Sequence, residues 1–403
     1  MLYNMEQNID ILVTQEGRAR NISKLVVALN EYEMEQSSGS PVKGIWSQVT
    51  VDLGFLCNSI ITKHPIVSAN AVIWDWNQSN DDSIGSRENR GAVIAAIKIP
   101  TPSTVNEQDS EQKLNHQIDP NDDDFGALNS KEAHESNVEE ESKDNEQDEN
   151  ETVISIMGMH LDHVQEHCRM IQMNYFLENI IKSDNMENGQ NHQFTKYPDF
   201  IIGDFNSLLQ SDYDAKRWKE IAKIRKLNKW EKPTSELMEY LLSTEGDHKW
   251  RYHDALEMAL KFKFYGEIYL PQMTEEEIEP VDFWTFNERV TMRERSIGSK
   301  KQRAGALRKL FSMKNKRSKG NKEKKEQQQQ DYEWSERWNA LFMEYFMEHW
   351  DYSSRFETRI DYILVSHAML KESGWRLVDC GFVDTITNKV TDHNLFWCDF
   401  EKI

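Results

Sequence analysis

No apolar run in this 403-residue chain is long enough to cross a membrane. The segment 91-GAVIAAIKI-99 is among the longest, well short of the ~20 residues a spanning helix needs. The N-terminal MLYNMEQNID has neither a basic leader nor an apolar stretch, so no secretory signal is expected. Cysteine is scarce and scattered. Cys57, Cys168, Cys380 and Cys398 show no CxxC spacing, which excludes a sequence-visible zinc site and a disulfide framework. Free thiols of a reducing compartment are the expectation, and with no visible signal that compartment is cytoplasmic or nuclear. No internal repeat is evident.

The chain has ample material for a core, with 38% hydrophobic residues and 12 tryptophans. Wholesale disorder is thereby excluded. The length admits one large domain or two to three smaller ones. The formal net charge of −21 is very unevenly spread. Residues 101–150 carry 16 Asp/Glu against 3 Lys/Arg, and residues 288–327 carry 15 Lys/Arg against 4 Asp/Glu. The acidic stretch is rich in Asn, Gln and Ser and reads as a solvated insertion over 101–151. The basic stretch ends in QQQQ and reads as a second insertion over 288–330. Its KNKRSKGNKEKK core has the composition of a nuclear-localisation or anion-binding patch. Outside both insertions the chain remains acidic, so any affinity for nucleic acid must be local. The expected organisation is a single domain over 1–403, interrupted twice.

Between the insertions, β-branched or aromatic runs alternate with helical patterns. Strands are expected at 9-IDILVT-14, 91-GAVIAAIKI-99, 153-VISIMGMH-160, 199-DFIIGDF-205, 360-IDYILVS-366 and 394-NLFWCDF-400. Helices are expected over about 164–182, 212–243 and 332–348. Distant strands with helices between them imply a layered α/β domain.

Several of these strands begin or end on an acid, an amide or an imidazole. Glu16 follows the first, His160 ends the third, and Asp204 and Asn206 end the fourth. Asp361 opens the fifth, and Asp392 and His393 precede the last. A sheet edge that gathers carboxylates suits a hard divalent cation, Mg²⁺ or Mn²⁺. Such a cation with imidazoles beside it suits a phosphate ester. Charge on the phosphoryl oxygens is neutralised while a carboxylate positions water for in-line attack.

The ordered set 10-DILVTQE-16, 54-GFLCNSIITKHPI-66, 89-NRGAVIA-95, 159-MHLDHVQEHCRMIQ-172, 199-DFIIGDFNSLL-209, 359-RIDYILVS-366 and 391-TDHNLFW-397 resembles the endonuclease/exonuclease/phosphatase superfamily, the deoxyribonuclease-I-like fold. The resemblance spans residues 10–400. It implies a four-layered α/β/β/α sandwich of two packed mixed sheets with helices outside. It also implies a metal-dependent phosphoesterase acting on a nucleic acid, phosphoinositide, sphingomyelin-type lipid or nucleotide-linked compound. In that scheme Glu16 is the principal metal ligand and Asp392 lies beside the metal. Asp204 positions or activates water, and Asn206 helps hold the phosphate. His393 meets the scissile phosphate, oriented by Asp361, and His160 is a second imidazole. Asn58, Arg90 and Arg169 sit in family-like positions as weaker candidates for contact with substrate. Arg169 has an equally good structural reading as a partner of Glu166.

Other residues invite plainer readings. His163 reads as a structural histidine and His253-Asp254 as a structural turn, while Asp361 next to Arg359 is open to an ion pair. Trp284 and Phe286 are expected in the core or along the substrate cleft. Two features depart from the family. Gly91 stands where the deoxyribonuclease branch has an acid, which removes the expected carboxylate partner of His160. The chain also reaches Glu16 too soon for the usual first strand, helix and Asn, since Asn4 cannot supply them. The alternative to an enzyme is therefore a catalytically impaired or truncated family member acting as a non-enzymatic interaction module.

Overall fold

The computed structural model describes residues 9–36, 45–54, 56–75, 88–100, 151–182, 197–243, 251–264, 340–349, 351–389 and 391–402. Asn4, Trp284, Phe286, the basic insertion and all of the acidic insertion except Glu151 lie outside the described residues. The chain divides into two compact units, 1–98 with 154–403, and 99–153. Of the second unit, only strand residues at its two ends are described. The first is mixed α/β. No described helix is long and apolar enough to cross a membrane.

A six-stranded sheet organises the larger unit. Its order is β4 (Ile66–Trp74), β5 (Arg90–Pro100), β6 (Glu151–His160), β7 (Phe200–Asp204), β9 (Asp361–Ser366) and β8 (Tyr252–Asp254). The pair β6–β7 is parallel, and β7–β9 is antiparallel. The middle of β5 is buried along its whole length, as expected of a strand covered on both faces. On one face, α2 (Glu166–Lys182) and α4 (Glu236–Leu242) bring Phe176, Leu177, Leu237 and Leu241 onto Met157, Met159, Ile201 and Leu364.

The opposite face meets a second sheet, of order β1 (Ile11–Gly17), β3 (Cys57–Thr62), β2 (Ser47–Asp52). The approach is close at Gly158, where a Cβ would lie 2.8 Å from Val13 Cγ1. Over this sheet, α1 (Ala19–Gln36) packs Ile22 and Leu29 against Cys57 and Ile61. A hairpin of β10 (Trp375–Val383) and β11 (Leu395–Lys402) also reaches the six-stranded sheet. Phe400 meets the Phe200 ring edge to face there, at 5.0 Å between centroids. The helix α5 (Ala255–Phe264) follows β8, and α6 (His367–Glu372) follows β9. All four cysteines are free thiols, with Cys380 and Cys398 opposite each other in the hairpin.

All six strands read from the sequence are present, but other segments differ. Residues 54–66, one segment of the ordered set above for which no strand was read, include β3, whose six residues are all buried. The helix α1 and the strands β2, β4, β8 and β10 were not read from the sequence, although Ile22, Leu25, Val26 and Leu29 of α1 fall at helical spacing. The helix expected over 212–243 is two, α3 (Ala215–Leu227) and α4, parted by a segment containing Pro233. Proline removes a backbone donor and disfavours helix in the residue before it. Asp214 caps α3, accepting from the Lys216 and Arg217 amides at 2.7 Å each. The helix expected over 332–348 is described only at 340–349.

Candidate active site

Register places the chemistry in a row. His160 on β6 pairs with Asp204 on β7, and Asp204 pairs with Asp361 on β9. Three adjacent strands therefore end on three ionisable side chains, spaced by roughly the 4.8 Å separation of neighbouring strands. Gly203, at φ 154°, lets β7 lie against β6: a Cβ there would sit 1.9 Å from the Met159 carbonyl oxygen. The chain then turns sharply. Asp204 Oδ1 accepts from the Asn206 amide at 2.7 Å, and Asn206 adopts φ 50°. This turn aims Asn206 Nδ2 at the Leu161 carbonyl (3.1 Å) and at His160 Nε2 (3.0 Å).

His393 reaches the row from another part of the chain. Its Nδ1 lies 2.8 Å from Asp361 Oδ2, and its Nε2 lies 4.0 Å from Asp204 Oδ2. The two segments are not neighbours in one sheet, because β9 belongs to the six-stranded sheet and β11 to the hairpin. Residues 353–358 make the junction instead. Ser353 Oγ accepts from the Ile360 and Asp361 amides at 2.9 and 3.0 Å. The Ser353 carbonyl accepts from the Asn394 amide at 2.8 Å, and Ser354 bridges to His393. These serines and Asn394 went unrecognised in the sequence. Their signal, hydroxyls just ahead of the RIDY segment, is common in ordinary turns.

Glu16 does not follow β1 but lies within it, at a register break between Thr14 and Gly17. Its φ of 55° marks a bulge, a device that re-aims a side chain. The carboxylate is 56% exposed and lies 3.5 Å from His160 Nδ1.

His160 has a cation beside it. Arg90 opens β5 and is only 3% exposed, with Nη1 3.1 Å from His160 Nδ1 and 3.2 Å from Nε2. Arg90 Nη2 donates to Glu88 at 2.7 Å and lies 3.1 Å from His163 Nδ1. His163, read from the sequence as a structural histidine, therefore belongs to this cluster and lines the cavity. Glu88 was not singled out at all.

The electrostatics divide the imidazoles. Burial, then the charge of Arg90, holds His160 well below the ordinary histidine range, so it is neutral. Burial opposes charge on His393, but the hydrogen bond and charge of Asp361, helped by Asp204 and Asp392, outweigh it and raise its pKa to about 9. Asp204 is pushed up to about 8 by burial and by Asp361, against the pull of His393. Two crowded carboxylates short of positive charge are what a divalent cation relieves. Asp204, Asp361 and His393 each offer an atom within 4.8 Å of the others, so hard oxygen donors are present for Mg²⁺ or Mn²⁺.

His160, Asp204 and His393 line one cavity of about 280 Å³ together with Glu16, Arg90, Asn206 and Asp392, and Asp361 stands behind His393. Asp392 stands at its rim, 3.6 Å from Arg355. Two expected substrate contacts point elsewhere. Asn58 is buried and donates to the Gly91 carbonyl at 2.7 Å. Arg169 is buried on α2, with Nη2 2.6 Å from Glu166 and Nη1 donating to the Asp162 carbonyl. Glu166 also accepts from Ser207 Oγ and the Leu237 amide, so this pair ties α2 and α4 to the Asn206 turn. Arg359 does not pair with Asp361: it is fully buried between Asp254 and Asp212.

Compared with known protein families and with curated protein sequences, the chain has no match.

Proposed function

We propose that this chain is a Mg²⁺- or Mn²⁺-dependent phosphoesterase that hydrolyses a phosphodiester or phosphomonoester by direct attack of water. The observation that carries the reading is the row His160, Asp204, Asp361 on adjacent strands, with His393 hydrogen-bonded to Asp361. The same reading extends to the endonuclease/exonuclease/phosphatase-type four-layered sandwich. The stacking of α1, the three-stranded sheet, the six-stranded sheet and α2 with α4 supports it.

Asp204 and Asp361 would hold the cation, with Glu16 and Asp392 at the cavity wall as further ligands. When bound, the cation draws charge from the phosphoryl oxygens. Asp204 takes the proton of the attacking water, and nearby positive charge favours the ionised form this requires. Asn206 Nδ2 would turn from His160 Nε2 to a phosphoryl oxygen as charge builds there, with the Arg90 guanidinium behind the neutral His160 ring. His393, kept cationic by Asp361, protonates the departing oxygen through Nε2.

Hydrolysis of bis(p-nitrophenyl) phosphate and p-nitrophenyl phosphate, with Mg²⁺, Mn²⁺ or EDTA, tests this. Turnover should require the metal and fall by about 10²-fold or more in Asp204→Ala and in His393→Ala. Folded protein without metal-dependent turnover of either ester would refute it.

A further inference from the structure

The cavity that holds the acid–imidazole row continues onto a wall of different chemistry. Leu208 stands two residues past Asn206, and Ile360 immediately precedes Asp361, so this wall begins beside the row. Beyond them stand Ile224 on α3, Trp230 just after it, and Phe356 from the loop ahead of β9. The two rings meet edge to face, with centroids 5.5 Å apart at 89°. Each carries a guanidinium: Arg225 lies 5.7 Å from the Trp230 centroid and Arg355 5.0 Å from that of Phe356. Arg225 lines the cavity although only 7% of it is exposed. Its Nε donates to the Glu231 carbonyl at 2.9 Å, whereas Nη2 meets no hydrogen-bond partner among the described residues. Buried donors are nearly always satisfied, and one left over at a cavity wall marks a place for a ligand acceptor.

We propose that this wall is a subsite for the nucleobase of a nucleotide-type phosphate ester, stacked on Trp230 with the perpendicular Phe356 ring against its edge and a ring acceptor turned to Arg225. The proposal rests on the phosphoesterase reading, which supplies the phosphate pole. Every base has a π-face and acceptors on its edge, the two features that this wall meets. A polyol such as inositol would turn hydroxyls onto Leu208, Ile224 and Ile360, which offer them nothing. An acyl chain would press methylenes onto a buried guanidinium.

Calorimetric binding of adenosine 5′-monophosphate, ribose 5-phosphate, myo-inositol 1-phosphate and hexyl phosphate to the intact chain with Mg²⁺ decides the matter. The nucleotide should bind about 5- to 150-fold more tightly than ribose 5-phosphate, the range that one stacked base supplies. Trp230→Leu should remove that preference and leave ribose 5-phosphate unchanged, and Trp230→Phe should keep most of it. Equal affinity for nucleotide and sugar phosphate, or tightest binding of the inositol or hexyl ester, overturns the subsite while the phosphoesterase reading stands. Failure of all four to bind also overturns the subsite, and the phosphoesterase reading is then decided by the hydrolysis of the two aryl esters. The ligand series in the unaltered protein stays decisive even if Trp230→Leu does not fold.

Discussion

Arg90 Nη1 stands 3.1 Å from His160 Nδ1, so a buried imidazole is held next to a permanent cation. Burial is the larger reason that His160 stays neutral, and Arg90 adds to it. Arg90→Met should therefore raise the His160 midpoint without restoring the full ordinary value, because burial remains. NMR titration of the ring resonances in EDTA measures this directly. An unmoved midpoint would assign the neutrality to burial and the neighbouring His393 and His163 rings.

The bond between His393 and Asp361 predicts a pH-dependent stability. The folded pKa of His393, about 9, lies above the ordinary 6.5. Its contribution is then fully present below pH 6.5 and is lost as pH rises through about 9. A charge-assisted bond of this kind is worth roughly 1–3 kcal/mol, the lower end being apt for a half-exposed ring. In EDTA, the excess melting temperature of the wild type over His393→Gln should shrink between pH 6.5 and 9.5. A constant or widening gap would contradict the assignment.

The ends of the row were legible in the sequence because single strands announce themselves. IDYILVS and DFIIGDF are β-branched or aromatic runs that stop on polar residues. Their alignment was not legible. That Asp204 stands opposite both His160 and Asp361 is a matter of register between segments separated by 44 and 157 residues. Sequence also could not show that His393 reaches Asp361 through Ser353 and Ser354, not through sheet pairing. Arg90 was visible as a candidate, but its contact with His160 follows from the order β5-β6 in the sheet. The wall of Trp230, Phe356 and Arg225 had no signal at all, since each residue alone resembles ordinary surface or core.

Arg359 carries a different kind of burden. It is fully buried, ion-paired with Asp254 and 3.6 Å from Asp212, and stands over the Tyr362 ring at 4.3 Å. Arg359→Met would leave two carboxylates facing each other without a cation, a loss of about 3–5 kcal/mol. Burial raises Asp212 to about 8 against the pull of Arg359, so this carboxyl is protonated at pH 5 and the penalty should be smaller there than at pH 8. Denaturant unfolding at pH 5 and pH 8 would check both size and direction. A penalty independent of pH would mean that lost packing, not uncompensated charge, dominates.

Metal binding by the acid row should be visible without any substrate. A cation that binds only the folded chain raises stability by about 2.7 kcal/mol at a concentration 100 times its dissociation constant. Mg²⁺ or Mn²⁺ should therefore raise the melting temperature over that in EDTA. Asp204→Asn and Asp361→Asn should each abolish the increment, since each removes a carboxylate of the close cluster. Glu16→Gln separates two arrangements. If Glu16 reaches the ion from its bulge in β1, the increment drops in that variant as well. If Glu16 instead serves His160, 3.5 Å away, the increment survives and the His160 midpoint falls, because a neighbouring negative charge has been removed. Calorimetry and ring titration on the one variant distinguish these outcomes.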